Sequence, residues 1–280
     1  NILVAIKIIL CYNNITIMFK IIKGEMYRVK TFCIYNNKGG VGKTSVTGAI
    51  SVELVIKGKR VLMVDTDTQA NLTKQFLSGV TIDYELADFL YDDSLGLKNC
   101  VYSTNYDNLF IIPTKDRIRK GRIFEWNTSG VLDERKDDVV NYLVEDAQKL
   151  GFDYLIFDTP PSLSKATQKY IKASDEVIPV LQIAKSSLDG LANFYIDLKE
   201  LRGRKEKPIC NKMIFNQYEK SKAVQKALLP GIMELQNKKY LIPVDQGFKK
   251  AELQCVALQE LGMKNETQEV LNQIISDIEE

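Results

Sequence analysis

Histidine is absent from the 280 residues, tryptophan occurs once, and the five cysteines stand far apart. Without histidine the commonest general base and metal ligand are missing. Chemistry must then rest on carboxylates, lysines and whatever metal or nucleotide they hold. Cys11, Cys33, Cys100, Cys210 and Cys255 form no C-x-x-C pair, which excludes a zinc pattern and a disulfide framework and fits a reducing cytoplasm. Charge of one sign is lacking too: 38 Lys and Arg against 36 Asp and Glu leave +2. No global field draws the chain to nucleic acid or anionic lipid, so such contact needs a local patch. Long apolar runs are also missing. Residues 1–22 are apolar but are broken by Lys7, Asn13, Asn14 and Lys20, so they cannot supply the roughly 20 clean residues of a membrane span. They have neither the basic start nor the small-residue cleavage site of a signal peptide. The rest is ordinary globular composition, 45% hydrophobic and 26% charged, enough for one large domain.

The informative stretch is Asn36-Asn37-Lys38-Gly39-Gly40-Val41-Gly42-Lys43-Thr44-Ser45. It follows an apolar, strand-like run from Val29 to Tyr35 and precedes helical spacing through Val46, Ile50, Leu54 and Val55. Strand, glycine-rich turn and helix is the context of a phosphate loop, whose backbone N–H groups and helix N-terminus surround an anion. The pattern G-x-x-x-x-G-K-[ST] is met except at its first position, where Asn37 replaces glycine. Lys43 is thereby assigned to the β- and γ-phosphates, Thr44 to Mg²⁺, and Lys38 through Ser45 to nucleotide binding.

Two further strands end in carboxylates. Val61–Val64 reads as a buried parallel strand leading to Asp65 and Asp67, and Phe152–Phe157 leads to Asp158, followed by Thr159-Pro160-Pro161-Ser162-Leu163. Carboxylates at the carboxyl ends of strands beside a phosphate loop face its nucleotide. Strands are also predicted at Leu109–Pro113, Glu176–Val180, Lys212–Phe215 and Tyr240–Pro243, with helices over Val139–Leu150 and from Ser187 to Leu201. This alternation predicts an α/β P-loop fold: a mostly parallel twisted sheet with helices on both faces and the site at the strand carboxyl ends.

The run K-G-G-V-G-K-T resembles the deviant Walker A loop of the ParA/MinD family of P-loop ATPases. The resemblance implies ATP and Mg²⁺ as cofactors, weak basal hydrolysis, and a homodimer in the ATP state, with Lys38 reaching the partner's nucleotide. Asp65-Thr66-Asp67-Thr68-Gln69-Ala70-Asn71 is similar to the family's D-x-D-P-Q-x-N, with Thr68 for proline. By that likeness Asp67 positions the attacking water, Asp65 supports Mg²⁺ and its water shell, and Gln69 orders the loop. D-T-P-P-S-L resembles D-x-P-P-S-L, which implies that Asp158 holds Mg²⁺ and that the loop senses the γ-phosphate. Asn216, at the end of a strand, would lie by the adenine. Val244 and Lys250 depart from the family's I-P-R-x-x-x-x-x-E-A, so that loop's role does not carry over. Chains of this family begin shortly before the first strand, where Met26 stands. Residues 1–25 are therefore expected to be an upstream extension and residues 26–280 the working domain; an extra strand or arm is the other reading.

Within the family, the acidic amphipathic tail Glu269–Glu280 argues against a basic membrane helix. The cysteine spacing argues against iron–sulfur relatives, and no tyrosine cluster ends the chain. What remains resembles a small ParA/Soj-type ATPase of plasmid or chromosome partition, cytoplasmic and nucleoid-associated, without a membrane partner. The resemblance implies non-specific binding of double-stranded DNA by the ATP dimer and a ParB-like centromere-binding partner that stimulates hydrolysis. Arg202, Arg204, Lys205, Lys220, Lys222, Lys249 and Lys250 are the candidate DNA contacts. Lys115, Arg117, Arg119, Lys120 and Arg122 form a further basic run, read as a solvated face or as a segment near dimer contacts. The competing reading is an ATP-switched protein that positions a protein cargo and does not bind DNA.

Overall fold

The computed structural model describes residues 28–116, 121–128, 139–203 and 206–280. Expectations that fall on residues 1–25, Met26, Arg117, Arg119, Lys120, Arg204 and Lys205 lie outside the described residues. One sheet of eight strands runs in the order β3-β4-β2-β5-β1-β6-β7-β8. Its strands are β1 Lys30–Tyr35, β2 Val61–Asp65, β3 Tyr102–Ser103, β4 Leu109–Ile112, β5 Tyr154–Asp158, β6 Glu176–Leu181, β7 Lys212–Tyr218 and β8 Lys238–Pro243. All neighbours pair in parallel except the two-residue β3, which lies antiparallel on β4 at one edge.

The central strands are apolar throughout because both faces of a parallel sheet are covered. Alternation then divides each strand between two cores. Phe32, Ile34, Met63 and Ile156 enter one core, with α1 (Lys43–Ile56) and α11 (Asn265–Glu279). Cys33, Tyr35, Val64 and Phe157 enter the other, with α5 (Val139–Lys149), α6 (Lys165–Ala173) and α7 (Lys185–Arg202). Helix α1 is buried along nearly its whole length, between the sheet and α11. The acidic tail helix α11 turns Leu271, Ile274, Ile275 and Ile278 into that core, so its apolar face is used inside the fold. No helix among the described residues is long and apolar enough to cross a membrane.

The remaining α-helices among the described residues are α2 (Asn71–Phe76), α3 (Leu86–Tyr91), α4 (Ile123–Thr128), α8 (Ala223–Met233), α9 (Gln246–Gln254) and α10 (Leu258–Leu261). Asp245 caps α9 and ties it to the start of α11: one oxygen accepts Gly247 N–H at 2.9 Å, the other Lys264 N–H and the Thr267 hydroxyl, each at 2.8 Å. Ile82, Leu86, Phe89 and Leu90 stand at helical spacing in the sequence, and the helix there begins at Leu86. Apart from α8, with 11 residues, these helices carry too few turns for a periodicity to emerge.

The order places β1 between β5 and β6. The crossover from β1 leads through α1 to β2 in one half of the sheet and that from β5 leads through α6 to β6 in the other, so a crevice opens beyond the carboxyl ends of β1 and β5. Polar side chains tie the strand ends that surround it. The Thr66 hydroxyl donates to the Asp158 carbonyl at 2.8 Å, Thr159 to Ile34 at 2.7 Å and Thr114 to Asp65 at 2.8 Å.

Candidate active site

The chain leaves β1 through Asn36, which is buried. Its Nδ2–H donates to the Val180 carbonyl on β6 at 2.6 Å, and its Oδ1 accepts Lys38 N–H at 2.9 Å. These bonds fix the entry to the phosphate loop. Gly40 and Gly42 sit at φ 72° and 93°, the left-handed region that glycine enters without strain. Gly42 is also the N-cap of α1, and the first turn of α1 holds no acidic side chain. The unbonded N–H groups of that turn and the positive end of the helix dipole are therefore open to an anion. Lys43 is buried, with Nζ 3.3 Å from the Lys38 carbonyl. Burial lowers its pKa, while Asp158 and Asp67 pull it back toward the charged form.

Register sets the carboxylates. Asp65 on β2 pairs with Asp158 on β5, and Asp158 with Ile34 on β1. Since Met63 and Ile156 face α1, Asp65 and Asp158, two residues further on, face it as well. Asp158 is 1% exposed, and its Oδ1 accepts the Thr47 hydroxyl at 3.4 Å. Its Oδ2 is buried without a partner among the described residues. Burial and the neighbouring Asp65 raise its pKa, and the Thr44 hydroxyl and Lys43 oppose them. An orphaned carboxylate oxygen beside the Thr44 hydroxyl is a donor set suited to a hard cation, and Mg²⁺ fits it. No group of three or more His, Cys, Asp or Glu able to hold a metal occurs among the described residues. Mg²⁺ commonly takes one or two carboxylates and completes its octahedron with phosphate oxygens and water.

Asp65 has a different surrounding. Its Oδ2 accepts Thr73 N–H at 2.9 Å and the Thr73 hydroxyl at 2.7 Å, and its Oδ1 accepts Asp67 N–H at 3.2 Å. It anchors α2 and the Asp67 loop from beneath. Burial pushes its pKa up to about 7 despite those bonds. Asp67 is half-buried, accepts Gln69 N–H at 2.9 Å, and faces the cleft.

That cleft, about 330 Å³, is lined by Gly39, Gly40, Gly42, Lys43, Thr44, Ser45 and Asp67 from the predicted set. Val41 instead buries its side chain in the α1 core. Lys38 is exposed, its Nζ 3.3 Å from the Ser186 hydroxyl. Asn216 donates to the Val41 carbonyl at 2.9 Å. Pro161, in the loop read as sensing the γ-phosphate, also lines the cleft, as do Gln75, Gln217 and Glu252, to which sequence reasoning assigned no such place. Gln75 and Glu252 lie on short helices far apart in the chain, and no motif marks them.

Among the described residues, the candidate DNA contacts do not form one patch. Lys220 and Lys222 follow the carboxyl end of β7, and Lys249 and Lys250 lie on α9 beyond the carboxyl end of β8; all four are exposed. Lys222 pairs with Glu219 at 2.5 Å and Lys220 with Glu266 at 3.7 Å. Arg202 ends α7 and reaches the Pro208 carbonyl at 3.5 Å, at the opposite, amino end of the sheet. In the other basic run, the backbone N–H groups of Lys115 and Arg122 both donate to Glu85, at 2.5 and 2.8 Å.

A family model described as an AAA domain matches residues 29–210. The chain belongs to that family, in the ParA/MinD superfamily. The sporulation initiation inhibitor protein Soj of Bacillus subtilis is 32% identical over 164 residues, 58% of this chain and 62% of the relative. The chromosome-partitioning ATPase Soj of Treponema pallidum is 30% identical over 165 residues, 58% of this chain and 60% of the relative. The matched region thus spans under two thirds of these relatives. In fold, this ParA/MinD chain is similar to a substituted McdA of Cyanothece in complex with ATP, with a TM-score of 0.75 at 20% identity, covering 90% of this chain and 96% of McdA. The predicted mostly parallel P-loop sheet is the fold observed.

Proposed function

We propose that this chain is a Mg²⁺-dependent ATPase of the partition type, hydrolysing ATP to ADP and phosphate slowly and as a homodimer. The observation that carries the reading is the unshielded phosphate loop facing the unpartnered oxygen of Asp158. Lys43 and the loop N–H groups bind the triphosphate, and Thr44 and Asp158 hold Mg²⁺, with Asp65 bracing the Asp67 loop behind them. Mg²⁺, when bound, neutralises charge on the β- and γ-phosphate oxygens. Asp67 orients the attacking water at the mouth of the cleft. Lys38, exposed at the rim, can swing to the nucleotide of a second copy across a sandwich interface, and a cation there stabilises the charge on the transferred phosphoryl group. The ATP dimer then binds double-stranded DNA without sequence preference, and a ParB-like centromere-binding protein triggers hydrolysis and release. The Treponema relative, a chromosome-partitioning ATPase, supports this cycle.

The separation of the basic residues across the two ends of the sheet favours a second reading, in which the ATP dimer positions a protein cargo without DNA. The test is binding of residues 26–280 to unrelated duplexes with ATP, ADP or no nucleotide, across a salt series. ATP-dependent, sequence-independent binding that falls steeply with salt upholds partition. A protein that dimerises with ATP and ignores DNA at every salt concentration moves the reading to a protein cargo.

A further inference from the structure

At the ends of β6 and β7, two side chains that are not among those lining the cleft reach carbonyl oxygens of the phosphate loop. Asn216 on β7 is 4% exposed and donates Nδ2–H to the Val41 carbonyl at 2.9 Å. Gln182, just past β6, donates to Gln217 Oε1 at 2.6 Å and lies 3.5 Å from the Gly40 carbonyl. Gly42 completes the fit: a Cβ built there would lie 2.2 Å from Asn216 Nδ2. Glycine at 42 is thus demanded twice, by its φ of 93° and by the amide packed against it.

A trans peptide unit presents its C=O and N–H in opposite directions. Drawing the Val41 carbonyl back toward Asn216 therefore turns the N–H of Gly42, in the same peptide, forward into the cleft. Gln182 acts likewise on the Gly40 carbonyl and the N–H of Val41, with a longer bond. We propose that Asn216 is a positioning residue for the triphosphate: it sets the Val41–Gly42 peptide plane so that an N–H meets the phosphates, and it does not read the base. This departs from the adenine contact expected of Asn216 and rests on the nucleotide-binding reading above. Without the amide, the Val41 carbonyl loses its partner and the peptide can rotate, so part of the cradle must be ordered at binding rather than beforehand.

The experiment compares the wild type, Asn216→Ala and Asn216→Asp for binding of Mg-ATP, Mg-GTP and Mg-tripolyphosphate by calorimetry. Aspartate keeps the side chain's shape but turns an acceptor toward the Val41 carbonyl. Both variants should lose about tenfold or more in affinity, by the same factor for all three ligands, since the phosphates are what they share. Both losses should persist well below the melting temperature of each nucleotide-free variant, which separates positioning from lost folding. A loss confined to ATP, with GTP and tripolyphosphate unaffected, overturns the inference in favour of a base contact. Unchanged binding of all three overturns it in favour of no role, and a loss that disappears on cooling to temperatures where both variants are fully folded reduces Asn216 to a folding residue. Failure of the wild type to bind any of the three would remove the nucleotide-binding reading and this inference with it.

Discussion

Asp158→Asn separates what the buried carboxylates do for function from what they cost the fold. Asp158 and Asp65 are 1% and 0% exposed and face the same side of the sheet. Asp65 rises from 3.8 to about 7; at 1.36 kcal/mol per unit that sets a scale of about 4 kcal/mol for charging a carboxyl in this place. Between the unfolded value and the raised folded value the unfolded chain binds fewer protons, so stability falls as pH rises through that window and stays low above it. Replacing Asp158 removes its own burial cost and its repulsion of Asp65. Against this stands the lost attraction to Lys43, itself desolvated. The expected net gain for the nucleotide-free protein at pH 8 is about 1–2 kcal/mol, a rise of about 2–8 °C for a chain of this size. At pH 5 the gain should be smaller, because the folded state holds its proton there and only the cost of taking it up from the ionised unfolded chain remains; it vanishes below the unfolded value of 3.8. Mg-ATP, which at about 100 times its Kd stabilises a binding protein by about 2.7 kcal/mol, should raise the melting temperature of the wild type and not of the variant. Melting curves at pH 5 and pH 8, with and without Mg-ATP, read all of this. A variant equally destabilised at both pH values would refute the burial argument, and one still stabilised fully by Mg-ATP would refute the cation site.

Three further expectations concern separate parts of the molecule. Asp67→Ala should keep ATP binding but lower hydrolysis by about 10²-fold or more, leaving an ATP-bound dimer detectable by sedimentation; normal phosphate release removes Asp67 from the water-positioning role. Lys38→Ala should bind ATP as a monomer with near wild-type affinity and fail to dimerise, since the exposed lysine contributes nothing to its own cleft; a normal ATP dimer would contradict the trans assignment. Asp245→Ala, which loses the cap of α9 and the tie to Lys264 and Thr267, should cost about 1–3 kcal/mol in denaturant unfolding. Burial alone would raise the pKa of Asp245, but the bonds from Lys264, Gly247 and Thr267 outweigh it and hold the pKa below the usual range. Its stabilisation is therefore present above the ordinary carboxylate pKa and is lost as pH falls through the lower folded one. An Asp245→Ala protein as stable as the wild type at pH 7 would contradict this.

The sequence alone determined the parallel architecture, the phosphate loop and the carboxylates. The physical reason is local. A strand covered on both faces must be an uninterrupted apolar run, a cradle for phosphate must be glycine-rich, and a carboxylate serving it must end a neighbouring strand. These demands fall on contiguous residues, so Asn36–Ser45, Val61–Asp67 and Phe152–Ser162 could be read directly. What the tertiary structure decided is how distant residues meet. Strand order and register put Asp65 beside Asp158, and only then do their environments diverge: Thr73 and Asp67 occupy the oxygens of one, while an oxygen of the other stays unpartnered among the described residues. The same long-range assembly set Asn216 against the Val41 carbonyl, and it set Arg202 at the end of the sheet opposite Lys220 and Lys249. It also turned the amphipathic tail inward onto α1 and β8. Each of these depends on which strands are neighbours, and spacing along a chain holds no record of that.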